Sequence, residues 1–377
     1  MRITIVQGAF LPVPAQRGGA IEKAFHSLAL EFAKAGHDVC YFSRLCDNLP
    51  AHEKECERVK HERVAGFDTP RSSLFLKLFD LFYTLRILAR LPVADILITH
   101  TFWLPFFARW PRRHGQVYVH VGRMPKGQMR FYRHAGRLQT VSTAIVDAIR
   151  SELPNGSHGK ISMVPYPLEP AFLEDVDCKT SRQKKILYAG RIHPEKGIGA
   201  LLEAYLGLPS MLRDGWALEI LGPWETKHGG GGPNYIEQLK GRVRKSDNVI
   251  FLDPVFNQAE LSALYGQASI FVYPSMAERG ETFGLAVLEA MARGCITLVS
   301  GLECFRDFIV PGENGFAFSH RVPEPSHSLR DELMYILHQV MQDGLINIRK
   351  AARATAEGYA VNKIARIFLD DFERLVS

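Results

Sequence analysis

Short strand-type runs alternate with helical segments along this chain, and this alternation restricts the possible fold more than any other feature. In the first half the strand-type runs read RITIVQ, HDVCYFS, ADILIT, GQVYVHV, RLQTVS and KISMVP. The first helical segment repeats apolar residues at helical spacing: Ala24, Leu28, Ala29 and Phe32. Gly36 follows where a left-handed cap belongs. Strands separated by helices are typical of a parallel sheet covered by helices on both faces.

The alternation lapses over residues 166–183 and then starts again. Prolines, acids and polar residues fill this segment, which is typical of a linker. After it KILYAG, WALEILG, NVIFLD, SIFVYPS and CITLVSG are separated by helical segments, which predicts a second doubly wound sheet. The length of 377 residues also exceeds one ordinary core. We therefore expect an α/β fold of two domains, with a cleft between them for a small-molecule ligand.

The last segment of the chain predicts one more helix, over residues 361–376. Ile364, Phe368 and Phe372 lie on one side of it. A terminal helix must bury such a stripe, so we expect it to pack back on the first domain. The predicted domains are residues 1–168 together with 359–377, and residues 169–358.

Composition argues against an integral membrane protein, because no stretch reaches the roughly 20 uncharged apolar residues that a membrane span requires. The first residues, MRITIVQGAF, contain no extended apolar segment followed by a small-residue cleavage site. A cytoplasmic location is therefore expected.

The formal net charge of +6 is unevenly distributed. No acidic residue occurs between Asp95 and Asp147, and that interval contains eight basic residues: Arg109, Arg112, Arg113, Arg123, Lys126, Arg130, Arg133 and Arg137. A stretch of one sign attracts phosphate-rich partners such as nucleotides or lipid headgroups, although a solvated basic face has the same composition. The surrounding pattern matches no common nucleic-acid module, so no nucleic-acid partner is expected.

The motif AGRIHPEKG, residues 189–197, ends a strand and opens a helix. A helix start at a strand end favours anions, because free backbone N–H groups and the helix dipole point there. Arg191 and Lys196 add two cations that can bind a diphosphate. The alternative is a surface loop in which Glu195 pairs with Lys196.

The segment ERGETFGLAVLEAMARG places Glu281 and Glu289 eight residues apart, with a helix start between them. Ionised carboxylates accept hydrogen bonds from vicinal hydroxyls, so one glutamate can hold a hexose and the other a ribose. Free N–H groups at the helix start can also meet phosphate. The alternative is a pair of solvated acids on a helix.

Two weaker candidates lie in the first domain. The glycine pair Gly18 and Gly19 permits close backbone approach to a ligand at the first helix start, although glycine pairs often only make turns. His120 ends the strand-type run VYVHV, where a ligand at the carboxyl edge of the sheet would meet it, although a lone histidine is more often structural. The run GGGGP, residues 229–233, predicts a mobile loop without assigned chemistry.

Taken in order, these motifs resemble the retaining glycosyltransferases of family four, the group 1 glycosyl transferases. The matching stretches are RGGAIEKAFHSLALEFAKAGHDV, RLQTVSTAI, ISMVPYPLEPAF, AGRIHPEKGIGALLEAY, ETFGLAVLEAMARG and ENGFAF. The resemblance implies the GT-B fold, in which two Rossmann-like domains face each other across a cleft. It implies catalytic roles for four residues: His120, Arg191, Lys196 and Glu281.

The resemblance also implies a nucleotide-sugar donor site. Its donor-binding residues would be Gly18, Gly19, Arg191, Lys196, Glu281, Thr282, Phe283, Gly284, Leu285 and Glu289. In that family Glu281 would contact the donor sugar and Glu289 the ribose. The family is independent of metal, and neither donor motif contains an Asp-x-Asp pair that could hold a divalent ion. No metal and no cofactor other than the nucleotide diphosphate-sugar is therefore expected.

The acceptor is predicted from the first domain. Aromatic residues and arginines alternate in FWLPFFARWPRR, beside the apolar helix RSSLFLKLFDLFYTLRILAR, which suits an anionic membrane surface. We expect a glycan or lipid-linked acceptor of cell-envelope polysaccharide or lipopolysaccharide synthesis, with peripheral contact at the inner membrane face. VPYPLEP and LECFRDFI depart from the family pattern, so donor and acceptor identity stay open. The rival hypotheses are a retaining glycosidase, a phosphorylase and a non-catalytic module that binds nucleotide sugars or acidic polymers.

Overall fold

The computed structural model describes residues 1–15, 19–70, 72–108, 113–176, 178, 182–342 and 344–377. Within these residues the chain forms two compact units. Unit 1 comprises Met1–Pro167 and Val361–Ser377, and unit 2 comprises Leu168–Ala360. These bounds differ by one or two residues from those predicted for the domains. Gly18, Arg109 and Arg112, which the sequence analysis singled out, lie outside the described residues.

Unit 1 is built on an eight-stranded sheet among the residues described. Its strands follow the chain as β1 Arg2–Val6, β2 Asp38–Arg44, β3 His52–Cys56, β4 Val59–Val64, β5 Ile96–Thr99, β6 Gln116–Val121, β7 Arg137–Thr140 and β8 Ile161–Met163. Their order in the sheet is β3-β4-β2-β1-β5-β6-β7-β8. All neighbours are parallel except β3 and β4, which form an antiparallel hairpin at one edge. The predicted parallel sheet is therefore confirmed.

The helices of unit 1 that precede residue 168 connect these strands. They are α1 Ala20–Lys34, α2 Ser73–Leu88, α3 Leu104–Phe107 and α4 Thr143–Glu152. The apolar positions predicted for α1 are buried, and Gly36 takes the left-handed conformation with φ of +90°. Across the described part of the chain, no helix has both the length and the apolar character needed to span a membrane.

Unit 2, as far as its residues are described, is built on a six-stranded parallel sheet. Its strands are β9 Gln183–Ala189, β10 Ala217–Leu221, β11 Val249–Leu252, β12 Ala268–Tyr273, β13 Ile296–Ser300 and β14 Phe316–Phe318. Its helices are α5 Ile198–Leu206, α6 Ser210–Arg213, α7 Pro233–Lys240, α8 Gln258–Gln267, α9 Leu285–Ala292, α10 Pro325–Met341 and α11 Ile346–Glu357. The strand order is β11-β10-β9-β12-β13-β14. From β9 the chain adds β10 and β11 on one side of the sheet, and it then crosses to the other side of β9 to add β12, β13 and β14. Right-handed crossovers then leave β9 and β12 toward opposite faces, so a crevice opens at their carboxyl ends.

The last helix, α12 Val361–Val376, belongs to unit 1, although unit 2 precedes it in the chain. Its Phe368 and Phe372 rings lie 6.2 Å and 5.6 Å from the ring of Phe32 on α1. The buried Asp371 carboxylate accepts a 2.9 Å hydrogen bond from the Tyr118 hydroxyl and pairs with Arg137 at 2.9 Å. The predicted return of this helix to the first domain is confirmed.

Candidate functional site

The carboxyl ends of β9 and β12 position the two strongest sequence motifs of unit 2. Lys196 follows β9 in a short 3₁₀ turn, and Glu281 lies in the loop after β12. The Met276 amide donates a 2.8 Å hydrogen bond to the Glu195 carbonyl oxygen, which joins the two loops. Gly197 has φ of +71°, and a Cβ there would lie 2.0 Å from the Pro274 carbonyl oxygen. Glycine is therefore required for the close approach of the loops.

Lys196 and Glu281 form an ion pair at this edge of the sheet. The Lys196 Nζ donates to Glu281 Oε2 at 2.6 Å, and the two side chains are only 6% and 9% exposed. Removing one partner of a buried pair leaves an uncompensated charge, which typically costs about 3–5 kcal/mol. The crevice therefore contains a fixed ammonium and a fixed carboxylate.

Two tyrosines, Tyr188 near the end of β9 and Tyr273 at the end of β12, line the same region. Their rings stack with centroids 5.8 Å apart, and the Lys196 Nζ lies 5.4 Å from the Tyr273 ring centroid. Burial raises the pKa of both phenols well above the usual value, so both stay neutral. Sequence reasoning missed them, although both stand at the ends of the two strands that flank the switch point.

Arg191 occupies a more exposed position on the same loop. Its guanidinium donates to Glu195 Oε1 at 3.0 Å and to the Gly229 carbonyl oxygen at 2.6 Å. The alternative hypothesis from the sequence, in which Glu195 pairs with Lys196, is wrong. Glu195 pairs with Arg191, and Lys196 pairs with Glu281. The glycine run at 229–233, predicted to be a mobile loop, is bonded to this motif, and Gly231 also donates to Ile192 O at 2.8 Å.

The remaining predicted donor residues lie at the start of α9 and along it. Gly284 caps the helix with φ of +87°, and a Cβ there would lie 2.4 Å from the Phe305 ring. Phe283 is buried, Thr282 is half-buried and Leu285 is the first helical residue. Glu289 lies one turn along α9, where its Oε2 accepts a 3.2 Å hydrogen bond from the Tyr265 hydroxyl. Tyr265 was not predicted from the sequence.

His120 and Gly19 belong to unit 1, so the predicted residues divide between the two units. His120 is buried at the end of β6, and its Nδ1 lies 2.6 Å from Gln139 Oε1. The Gln139 amide nitrogen donates to two backbone carbonyls, which fixes its oxygen as the acceptor and places the proton on Nδ1. The Tyr166 hydroxyl lies 3.0 Å from Nε2. Burial lowers the pKa of His120 to about 4, so the imidazole is neutral near pH 7.

Further polar side chains surround this histidine and the start of α1. The His100 ring lies 4.8 Å from His120, and the Phe25 ring packs against both. Gly19 has φ of +111°, and a Cβ there would lie 2.3 Å from Glu22 Oε2. Burial raises the pKa of Glu22. His100 and Glu22 gave no signal in the sequence beyond their positions after β5 and at the start of α1.

Two family profiles match this chain over adjoining segments. The profile described as glycosyl transferases group 1 matches residues 175–351, most of unit 2. The profile described as glycosyl transferase 4-like domain matches residues 19–167, most of the first segment of unit 1. The family predicted from the six sequence motifs is therefore confirmed.

Known relatives and solved structures agree with these matches. Phosphatidyl-myo-inositol mannosyltransferase of Mycobacterium tuberculosis is 30% identical over 46% of this chain and 42% of its own length. The chain spans less than half the length of the first curated relatives that it matches. Sucrose-phosphate synthase of Thermosynechococcus elongatus has a TM-score of 0.81 at 18% identity, covering 99% of this chain and 98% of its own.

A second similar structure is an Anabaena protein solved in complex with UDP and glucose. It has a TM-score of 0.71 at 16% identity, with 99% of this chain and 100% of that chain covered. At these identities the likeness shows the fold alone. The predicted α/β architecture of two Rossmann-like domains is confirmed.

Proposed function

Because this chain belongs to the group 1 glycosyl transferases, whose fold is GT-B, we propose that it transfers a sugar from a nucleotide diphosphate-sugar to an acceptor hydroxyl. We propose that the transfer retains the anomeric configuration and proceeds without a bound metal ion. The observation that carries this proposal is the buried Lys196–Glu281 pair at the topological switch point of unit 2.

Lys196 is assigned to the donor diphosphate. An ammonium has three N–H donors, and Glu281 accepts one of them at 2.6 Å. The others are suited to phosphate oxygens, whose negative charge grows as the sugar leaves. In a site that water cannot reach, a fixed cation stabilises such charge more than it would in solution. Arg191, on the same loop, supports the outer phosphate with its forked donors.

Glu281 and Glu289 are assigned to hydroxyl groups of the donor. Glu281 lies beside the ammonium that holds the diphosphate, so its carboxylate is suited to the hydroxyls of the transferred sugar. Glu289, on α9 and bonded to Tyr265, is suited to the ribose. The α9 start at residues 282–285 brings backbone N–H groups toward the phosphates. These assignments follow the family pattern and the positions described above.

The proposed step breaks the bond between the anomeric carbon and the diphosphate oxygen. The acceptor oxygen forms its bond to that carbon on the same face, and its proton passes to the departing phosphate oxygen. The products are the glycosylated acceptor and the nucleoside diphosphate. Glu281 orients the sugar and does not act as the nucleophile. The neutral His120 is assigned to the transferred sugar, as a hydrogen-bonding group rather than a charge.

The test is nucleoside diphosphate release across a panel of UDP, GDP and ADP sugars, with and without added acceptors. We expect slow release from one donor, and a loss of at least a hundredfold in Glu281→Ala. Glu219→Ala is the matched control, because Glu219 forms a similar ion pair with Lys185 at 2.7 Å on the strands. If no donor of the panel released nucleoside diphosphate and none bound in calorimetry, the assignment of the donor site would be overturned. Binding without turnover would support a non-catalytic module.

For the acceptor we propose a glycan or lipid-linked molecule of the cell envelope, reached at the inner membrane face. Apolar side chains are exposed along α2 at helical spacing: Leu74, Phe75, Leu78, Phe82 and Leu85. The helix carries the cations Lys77 and Arg86, and its single acid, Asp80, is buried. An apolar face with positive flanks is suited to anionic lipid. The mannosyltransferase relative, by its name, acts on phosphatidyl-myo-inositol.

This assignment predicts binding to anionic phospholipid vesicles through α2. The double variant Leu74→Glu/Phe82→Glu is expected to lower vesicle affinity at least tenfold in cosedimentation, because each apolar side chain contributes about 1.5–3 kcal/mol when buried. Added salt should weaken the wild-type interaction. Met211→Glu, at a residue 86% exposed on α6, is the control and should bind normally. Equal binding by the double variant would exclude α2 as the contact.

A further inference from the structure

Two histidines and a glutamate from three different elements of unit 1 converge at one point. His26 lies on α1, Glu55 on β3 and His61 on β4. None of these three residues is itself assigned to donor, acceptor or catalysis. Their candidate ligand atoms all lie within 4.8 Å of one another. They are the one such group of three that the described residues contain.

Both imidazoles point their Nε2 atoms at the same carboxylate. His61 Nε2 lies 2.6 Å from Glu55 Oε2, and His26 Nε2 lies 2.9 Å from that atom. The two histidine rings have centroids 5.9 Å apart and planes tilted by 56°. The three side chains therefore aim potential ligand atoms at one point.

The strands place these side chains in an unusual way. The register of the β3–β4 hairpin shifts between Lys54 and Cys56, which puts a β-bulge at Glu55. Bulges re-aim side chains and are common beside functional sites. His61 is fully buried at an inward position of β4, stacked on Tyr41 with ring centroids 5.6 Å apart. An apolar residue would serve the core better there, because the Nδ1 of His61 has no hydrogen-bond partner among the described residues.

We propose that His26, Glu55 and His61 bind one Zn²⁺ ion. Zinc takes imidazole nitrogen and carboxylate oxygen at about 2.0–2.2 Å, so tetrahedral ligand atoms lie about 3.4 Å apart. Glu55 Oε2 is now 2.6 Å from His61 Nε2 and 2.9 Å from His26 Nε2. A small outward movement of the Glu55 side chain, which is 27% exposed, would lengthen both distances to this value. Water from the solvent side would complete the four ligands. Two imidazoles favour zinc over calcium or magnesium, which prefer oxygen ligands.

The ion would clamp α1 to the β3–β4 hairpin. At present Glu55, a partly exposed residue of β3, bridges His26 of α1 and His61 of β4. Phe25, the neighbour of His26 on α1, packs against His120 with ring centroids 5.0 Å apart. The clamp would therefore stabilise the helix that supports His120. Its role is structural, and it is independent of the proposed sugar transfer.

The experiment uses the full chain after dialysis against a chelator, with Zn²⁺ added in a calorimeter and in thermal unfolding. We expect one ion per chain and a melting temperature that rises with zinc. At a free concentration one hundred times Kd, the folding equilibrium should shift about a hundredfold toward the native state. His26→Ala and Glu55→Gln should each weaken zinc binding at least tenfold, and Co²⁺ should give a visible band that both variants lose.

His52→Ala is the matched control, because His52 forms a two-residue pair with Glu62 at 2.6 Å on the same hairpin. It should bind zinc like the wild type. His26 is chosen over the buried His61 so that the variant folds, and its far-ultraviolet circular dichroism should match that of the wild type. Absence of binding by the wild type, or equal binding by His26→Ala and the wild type, would overturn the proposal.

Discussion

Lys196→Met is expected to lower kcat/KM for donor turnover by about a thousandfold. The substitution removes the ammonium assigned to the departing diphosphate, and loss of one well-placed electrostatic donor typically costs 10²–10³ in rate. It also leaves the buried Glu281 carboxylate without its partner, which is 2.6 Å away in the wild type. Stability should therefore fall by about 3–5 kcal/mol. Nucleoside diphosphate release and denaturant unfolding measure the two effects separately.

A second variant separates the lost chemistry from the lost stability. Lys196→Met/Glu281→Gln removes both charges, so much of the stability should return while turnover stays lost. Lys185→Met is the control, because Lys185 pairs with Glu219 at 2.7 Å on the strands of the same sheet. It should keep turnover within a few-fold of wild type. A Lys196→Met enzyme with normal turnover would remove Lys196 from the mechanism.

Phe372→Ala is expected to lower the free energy of unfolding of unit 1 by about 3–5 kcal/mol, the usual cost of truncating a buried phenylalanine. Phe372 is fully buried on α12 and lies 5.0 Å from the ring of Tyr118 and 5.6 Å from that of Phe32. The cavity would open next to the Asp371 carboxylate that bonds Tyr118. Urea unfolding, followed by fluorescence, measures the loss.

The control for this prediction lies on the same helix. Ile367 is 45% exposed, so Ile367→Ala should change stability by no more than about 0.5 kcal/mol. If Phe372→Ala cost as little, α12 would contribute no core to unit 1. If both variants were strongly destabilised, the helix itself rather than its buried face would be the sensitive feature.

The fold was predictable because its signals are local. Strand-type runs and helical spacing are set by residues within a few positions of each other, and α1 with Gly36 follows the predicted pattern. The family was predictable from the order in which the six motifs follow one another along the chain. Lys196 and Glu281 were both selected from the sequence for the same reason, since each follows a strand of a parallel sheet.

Pairing between distant residues was not predictable. Lys196 and Glu281 are 85 residues apart, and no local pattern in the sequence indicates that they pair. In the sequence Tyr188 and Tyr273 look like ordinary strand residues. Their stacking depends on the pairing of β9 with β12, which only the structure shows. The hydrogen bonds that the glycine run at 229–233 makes to the Arg191 loop were also not predictable, because composition alone carries no information about the partners of backbone groups.

The proposed zinc site could not be predicted from the sequence for a related reason. His26, Glu55 and His61 have no metal-binding spacing along the chain, and they meet only because α1 packs against the β3–β4 hairpin. The bulge at Glu55 depends on the register of that hairpin. Register is a property of two strands together, so one strand read alone does not reveal it.

The placement of α12 in unit 1 has a consequence for synthesis on the ribosome. Residues 168–360 are translated between the two parts of unit 1, so unit 2 is complete before α12 emerges. Until then Phe32 and Tyr118 lack the aromatic partner that α12 supplies, Phe372. Domains usually fold in their order of synthesis. Here synthesis of unit 1 begins before that of unit 2, but unit 1 can complete its core only after unit 2 has been made. The nascent chain therefore presents an open apolar surface that chaperones can bind until α12 is made.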